Sequence, residues 1–367
     1  MLGAGGMIAE VHRRAALAAG AEVIGALGSS AGRSEEIARR WGATRAYASL
    51  DEALSDDSVD TVHICTPNAF HASYAQAALQ AGKHVICEKP LAVSLEEAHR
   101  MSVAAAQSGL VATVPFIYRY HPLVRELRER RIRGEFGDWI LLHGSYLQDW
   151  MLSPQVSGWR VHPSLGGPSR AFADIGSHWC DLVEWVSGER FTEVVATTTV
   201  AVPERPATSS SSSGGNTEEK RCLPVRTEDA ALVFMRTGGG ALGSATISQV
   251  AAGRKNRLWF ELDGTQASAV FDQENPETAW VGTADGARIL LRDPSQGSPE
   301  QRRLSVLPAG HPQGYAHCFE AFVSDTYAAI DGGTPEGLPT FMDGLRSVQL
   351  IDAVLRSSAH DSSWTKV

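Results

Sequence analysis

From its start to about Val114 the chain sets short β-branched runs between stretches whose apolar residues recur at helical spacing. EVIGAL is followed by RSEEIARRWG, TVHICTP by a helix from Ala69, and KHVICE by a further helix before VATV. Strands alternating with helices predict a parallel, doubly wound α/β sheet. Ser94 with Glu97 three residues on is a capping-box signal, and Gly82 and Gly109 stand where helices must stop. After His121-Pro122 the pattern predicts a basic helix to about Arg133, the strand WILLHGSYL, a loop holding Gly166-Gly167-Pro168, and an apolar helix from about Ala173 to Val186. From Phe191 to about Leu291 strands joined by Gly- or Asn-containing turns dominate, which predicts one large, mostly antiparallel open sheet. Helices over roughly Tyr315 to Ile330 and Phe341 to Ser357 follow.

This change of pattern, with a length of 367 residues, divides the chain into an expected N-terminal Rossmann domain over 1–118 and a C-terminal α+β domain over 119–367. PERPATSSSSSGGNTEEK lacks apolar anchors that could repay the entropy of ordering, so a mobile hairpin loop is expected at about 204–220. The net charge of −9 comes from 33 Lys and Arg against 42 Asp and Glu, interspersed without a basic stripe, and nucleic acid is not an expected partner. No apolar run reaches the ~18 residues of a membrane span. From the opening residues, which lack a basic leader before an apolar stretch, secretion is not expected. Five well-separated cysteines without CxxC spacing fit reduced thiols in a cytoplasmic setting.

Gly3, Gly5 and Gly6 precede an apolar helix beginning near Met7 or Ile8. Such a loop brings backbone N–H groups and a helix N-terminus toward a pyrophosphate. Only Met1 and Leu2 are available for the strand that should feed it, so that first strand is expected to be truncated. At the end of the second strand stand Gly28, Ser29, Ser30 and Arg33, where an NAD-preferring site carries a carboxylate. The two hydroxyls and the guanidinium can either receive a 2′-phosphate or, for the serines, cap the next helix. The dinucleotide is therefore NAD or NADP.

The chemistry concentrates in Thr66-Pro67-Asn68 with His71, in Glu88-Lys89-Pro90, and in Asp174-Ile175-Gly176-Ser177-His178. Lys89 ends a parallel strand on the side where such sheets bind ligands. It is one of only five lysines in the chain. Asp174 and His178, four residues apart, share one helix face and can converge on one hydroxyl. Asp174, His178 and Asp181 do not make a complete metal shell, so no metal is expected.

The order and spacing of these motifs resemble the glucose-fructose oxidoreductase, inositol dehydrogenase and MocA (Gfo/Idh/MocA) family, over nearly the whole chain. The resemblance implies hydride transfer between NAD(P) and a secondary hydroxyl or keto group of a sugar, sugar derivative or cyclitol. By this similarity His178 is the general base, Asp174 holds and orients the substrate, and Lys89 polarises the reacting oxygen. Gly3, Gly5, Gly6, Met7, Ile8, Ser29, Ser30, Arg33, Thr66, Pro67, Asn68, His71, Glu88 and Lys89 would meet the cofactor. Tyr118, Gln148, Trp150, Arg160 and His317 would line the substrate side. A homodimer or homotetramer through the C-terminal sheet is expected. The alternative is a dinucleotide-binding sensor or an impaired family member without turnover.

Overall fold

The computed structural model describes residues 1–207 and 222–367. The chain forms two compact units, one of Met1–Arg125 with Asp293–Val348 and the other of Glu126–Arg292 with Gln349–Val367. The first unit is thus built from two separate stretches of chain, and no single cut between residues 118 and 119 delimits it.

In the first unit α1 (Met7–Ala18), β1 (Gly25–Ala26), α2 (Ala31–Trp41), β2 (Arg45–Ala46), α3 (Leu50–Leu54), β3 (Thr61–Ile64), α4 (His71–Gln80), β4 (His84–Cys87), α5 (Leu95–Ser108) and β5 (Ala112–Thr113) follow one another. β1 pairs with β2, and β3 with β4 and then β5, all in parallel. Leu2 joins the two pieces by bridging Leu27 on one side and Ile64 on the other. Its N–H donates to His63 O at 2.8 Å, and its carbonyl accepts from Cys65 N at 2.8 Å. Met1 and Leu2 therefore occupy the central position of a Rossmann sheet, as short as the spacing predicts. Beside the Met1 amine, which donates to Gly25 O at 3.0 Å, lies a cavity of 370 Å³ lined by Val23, Asp60, Thr61 and Tyr327 among others. The core beneath packs Leu27, Val62, Ile64, Val85, Met101 and Val114 against Phe341 and Leu345 from the returning stretch of chain.

α6 (Pro122–Ile132) leads into the second unit, where β6 (Trp139–Leu147), β7 (Phe191–Thr199), β8 (Glu204–Pro206), β9 (Cys222–Pro224), β10 (Ala230–Thr237), β11 (Leu242–Ser248), β12 (Arg257–Gly264), β13 (Ser268–Asp272), β14 (Thr278–Thr283), β15 (Gly286–Leu291) and β16 (Thr365–Lys366) follow. Nine of these form one sheet in the order β15-β14-β13-β12-β6-β11-β10-β7-β16. Only β6 and β11 run parallel within it. The alternation read from the sequence is visible in β10, whose residues are in turn buried and exposed. The helix Ser177–Ser187 covers one face, with Trp179 stacked on Phe191 and donating to Trp259 O at 3.0 Å. On the other side Leu232, Phe234 and Leu242 are exposed.

The polar loop expected at about 204–220 falls mostly in residues 208–221, outside the described residues. Its flanks, β8 and β9, pair antiparallel with Glu204 opposite Pro224, so they are the arms of a hairpin.

Candidate active site

The glycine loop owes its path to Gly3 and Gly5, with φ of +76° and +117°. A Cβ on Gly3 would lie 2.6 Å from Thr66 N, so the loop meets the end of β3 backbone to backbone. Gly6 caps α1 without a side chain, Met7 is exposed and Ile8 half-buried at the open first turn. Arg33 lies along this loop, its Nε 3.6 Å from where a Gly5 Cβ would be, and is paired with Glu36. Ser30 Oγ accepts from Arg33 N at 3.3 Å, so this serine caps α2, while Ser29 is exposed.

Thr66, Pro67 and Asn68 run from β3 into a short 3₁₀ turn, with Thr66 Oγ1 buried and without a hydrogen bond. His71 is fully buried between two strand ends, Nδ1 2.9 Å from Pro90 O and Nε2 3.1 Å from Thr66 O. It acts as a latch between β3 and β4, and burial lowers its pKa. The Lys89–Pro90 bond is cis, and Lys89 N donates to Glu88 Oε2 at 3.1 Å. The Glu88 carboxylate is anchored from below by His12 Nε2 at 3.0 Å.

His12 had no sequence signal beyond its place on α1, yet it heads a buried relay. Its Nδ1 lies 2.9 Å from His63 Nδ1, and His63 Nε2 lies 2.9 Å from the Tyr327 hydroxyl. Burial opposes a charge on His12, but the Cys65 sulfur and the Glu88 carboxylate outweigh it and push its pKa up to about 10. Burial, and then the adjacent His12 charge, hold His63 well below its usual value. A charged His12 would donate to both Glu88 and His63, leaving His63 neutral and donating to Tyr327. Tyr118 is buried in a 3₁₀ turn against Tyr315, and His317 Nδ1 accepts from Gly314 N at the start of its helix.

In the second unit the remaining expected residues form one cluster. Asp174 sits in a π-turn, Phe172–Gly176, that runs into the helix carrying His178. Asp174 Oδ2 accepts from Gln249 Nε2 at 2.7 Å, and Oδ1 lies 3.9 Å from Arg160 Nε. The Arg160 guanidinium stands 4.4 Å from the Trp159 ring centroid and 5.9 Å from that of Trp150. Trp150 Nε1 donates to Gln148 Oε1, and Gln148 and Tyr146 both donate to Asn256 at 2.7 Å. The Tyr146 ring closes the circle 6.4 Å from that of His178. Aromatic faces, an amide, a guanidinium, a carboxylate and an imidazole together offer a sugar both a flat wall and hydrogen-bond partners. Gln249 lay unsuspected because it follows the alternating β11 as one more polar residue.

Comparison with known proteins agrees with this geometry. The family model described as an oxidoreductase family with an NAD-binding Rossmann fold matches residues 1–116, and the GFO/IDH/MocA C-terminal domain matches residues 124–270. Levoglucosan dehydrogenase of Pseudarthrobacter phenanthrenivorans is 34% identical over 344 residues, covering 90% of this chain and 86% of that protein. The chain belongs to the Gfo/Idh/MocA family. A 1,5-anhydro-D-fructose reductase of Ensifer adhaerens is 28% identical, over 93% of this chain and 90% of its own length. The solved structure of a levoglucosan dehydrogenase in complex with NADH and levoglucosan superposes with a TM-score of 0.89 at 30% identity, over 100% of this chain and 98% of that one. The chain is an NAD(P)-dependent oxidoreductase. Among the described residues no helix is long and apolar enough to cross a membrane.

Proposed function

We propose that this chain oxidises a secondary hydroxyl of an anhydro-sugar or a related pyranose, with levoglucosan as the first candidate. The observation that carries the reading is the cluster of Asp174, His178, Arg160, Trp150 and Gln148 in a chain whose relatives include a levoglucosan dehydrogenase and an anhydrofructose reductase. When bound, the dinucleotide supplies the hydride acceptor. The protein's part is to place the sugar and manage one proton. Trp150 and Arg160 support the ring, Asp174 accepts a hydrogen bond from the sugar, and His178 takes the hydroxyl proton, for which an imidazole is suited near neutral pH. Lys89, placed by Glu88 at the strand end, polarises the oxygen on which charge develops. The cofactor would lie along the Gly3–Gly6 loop, Ser29, Ser30 and Arg33, with Thr66–Asn68 beside it.

Two further assignments go with this reading. The exposed Leu232, Phe234 and Leu242 on one sheet face favour self-association into a dimer or tetramer. Five widely separated cysteines without CxxC spacing suit the cytoplasm. The test is a panel of levoglucosan, 1,5-anhydro-sugars, aldoses and inositols, each with NAD and with NADP, followed by NAD(P)H absorbance. Levoglucosan should give the highest kcat/KM. Higher values for an inositol or a free aldose would overturn the substrate assignment.

A further inference from the structure

Beneath the Asp174 cluster lies a buried set of charges that takes no direct part in the chemistry. Asp229 is fully buried, and its Oδ1 is shared by Arg170 and, at 3.3 Å, by Arg205. Its Oδ2 accepts from Val202 N at 2.8 Å. Arg170 also donates to Gln249 Oε1 at 3.0 Å, and Gln249 in turn donates to Asp174. Arg205 donates to three carbonyls of the segment after Trp150: Met151 O at 2.6 Å, Ser153 O at 2.9 Å and Val156 O at 2.9 Å. The neighbouring Glu228 accepts from Ser169 Oγ and from the backbone N–H groups of Arg170 and Phe172, so a second buried carboxylate holds the backbone at the start of the same turn.

The donor logic of this chain has one solution. Arginine can only donate, so Gln249 Oε1 faces Arg170 and its NH₂ faces Asp174. Asp174 Oδ2 must then be an acceptor, and the carboxylate plane is fixed. Leaving any member out strands a buried charge or amide, which is far costlier than the net worth of each bond.

We propose that Gln249 is a positioning residue for Asp174, and that Asp229, through Arg170 and Arg205, ties the Asp174 turn and the 151–156 segment into one unit. The ligand it serves is a sugar that offers a hydroxyl to Asp174 while its ring rests near Trp150. Both contacts are then set by one buried carboxylate, and a substrate must satisfy them together.

The catalytic half of this inference rests on the substrate role proposed for Asp174, and the experiment separates the two. Hydrogen exchange of peptides covering 148–158 and 170–178 needs no substrate. Asp229→Asn should raise exchange in both segments by ~10-fold or more, Arg205→Met in 148–158 alone, and Gln249→Leu in 170–178 alone. Any other pattern overturns the tie, and the two milder variants decide the matter if Asp229→Asn fails to fold. In levoglucosan oxidation Gln249→Leu should lower kcat by ~10-fold with little change in KM. Gln249→Glu should move the acid limb of kcat/KM upward by ~1 pH unit, because a second carboxylate then faces Asp174. A purely structural role would not move that limb. If the parent turns over and neither kinetic change is found, Gln249 does not position Asp174. If the parent oxidises no sugar, the proposed function falls and the exchange pattern alone decides the tie.

Discussion

In the first unit the residues assigned to the dinucleotide lie at strand ends and are placed mainly by backbone: Gly3 against Thr66, Gly6 at the head of α1, Lys89 one residue beyond Glu88. In the second unit the residues assigned to the sugar are placed by side chains on side chains: Asp174 by Gln249, Gln249 by Arg170, Arg170 by Asp229. A phosphate diester is the same in every dinucleotide, so N–H groups and a helix terminus suffice for it. A sugar is distinguished by the direction of its hydroxyls, which only individually oriented side chains can read. The first arrangement is vulnerable to an added methyl group, the second to a lost charge.

The largest test of this contrast is Asp229→Ala. It leaves Arg170 and Arg205 buried with one carboxylate fewer, and should lower unfolding free energy by about 3–5 kcal/mol. A denaturant melt losing less than about 1 kcal/mol would show that the cluster is solvated. Next come the two groups proposed to act on the hydroxyl. Lys89→Ala and His178→Ala should each cut turnover by ~10²-fold or more with the fold intact, and near-normal turnover at saturating sugar would remove that residue from the mechanism.

Gly3→Ala combines a positive φ with a Cβ 2.6 Å from Thr66 N. It should cost about 2 kcal/mol and weaken NADH binding measured by fluorescence titration. Gly6→Ala, whose Cβ meets no protein atom within 4 Å, is the control for the loss of stability. Equal effects at the two glycines would refute the backbone account of the loop.

A further test concerns pH. His12 is raised from 6.5 to about 10, so its contribution is whole below pH 6.5 and is lost as pH rises toward 10. Between pH 8 and 10 the parent should therefore lose about 1.4 kcal/mol per pH unit relative to His12→Gln. Parallel stability profiles for the two proteins over that range would place no charge on His12. The smallest change expected is at Ser29, where Ser29→Asp should shift cofactor preference toward NAD by hydrogen-bonding a ribose and repelling a 2′-phosphate. An unaltered ratio of NAD to NADP turnover would mean that Ser29 does not face the ribose.

Much of the site was legible because it was written in local patterns. The glycines, the Glu88-Lys89-Pro90 strand end and the four-residue step from Asp174 to His178 each announce themselves within a few positions. The partners that hold these groups were not legible, because they come from far along the chain. His12 reaches Glu88 across 76 residues, and Gln249 reaches Asp174 across 75. His71 shows the reverse case. It stands next to a recognisable motif, yet both its nitrogens are engaged in joining two strand ends.

What the sequence determined by itself is the alternation of strand and helix up to Val114, the switch to a mostly antiparallel sheet, and the family. Periodicity and turn chemistry are local, and they survive without any knowledge of tertiary contacts. Tertiary structure alone decided that residues 293–348 complete the first unit, that His12 and His63 meet in a buried relay below Glu88, and that one carboxylate at Asp229 holds two guanidiniums. These depend on which distant groups are brought together away from water, and only there does a pairing between two side chains fix protonation and orientation.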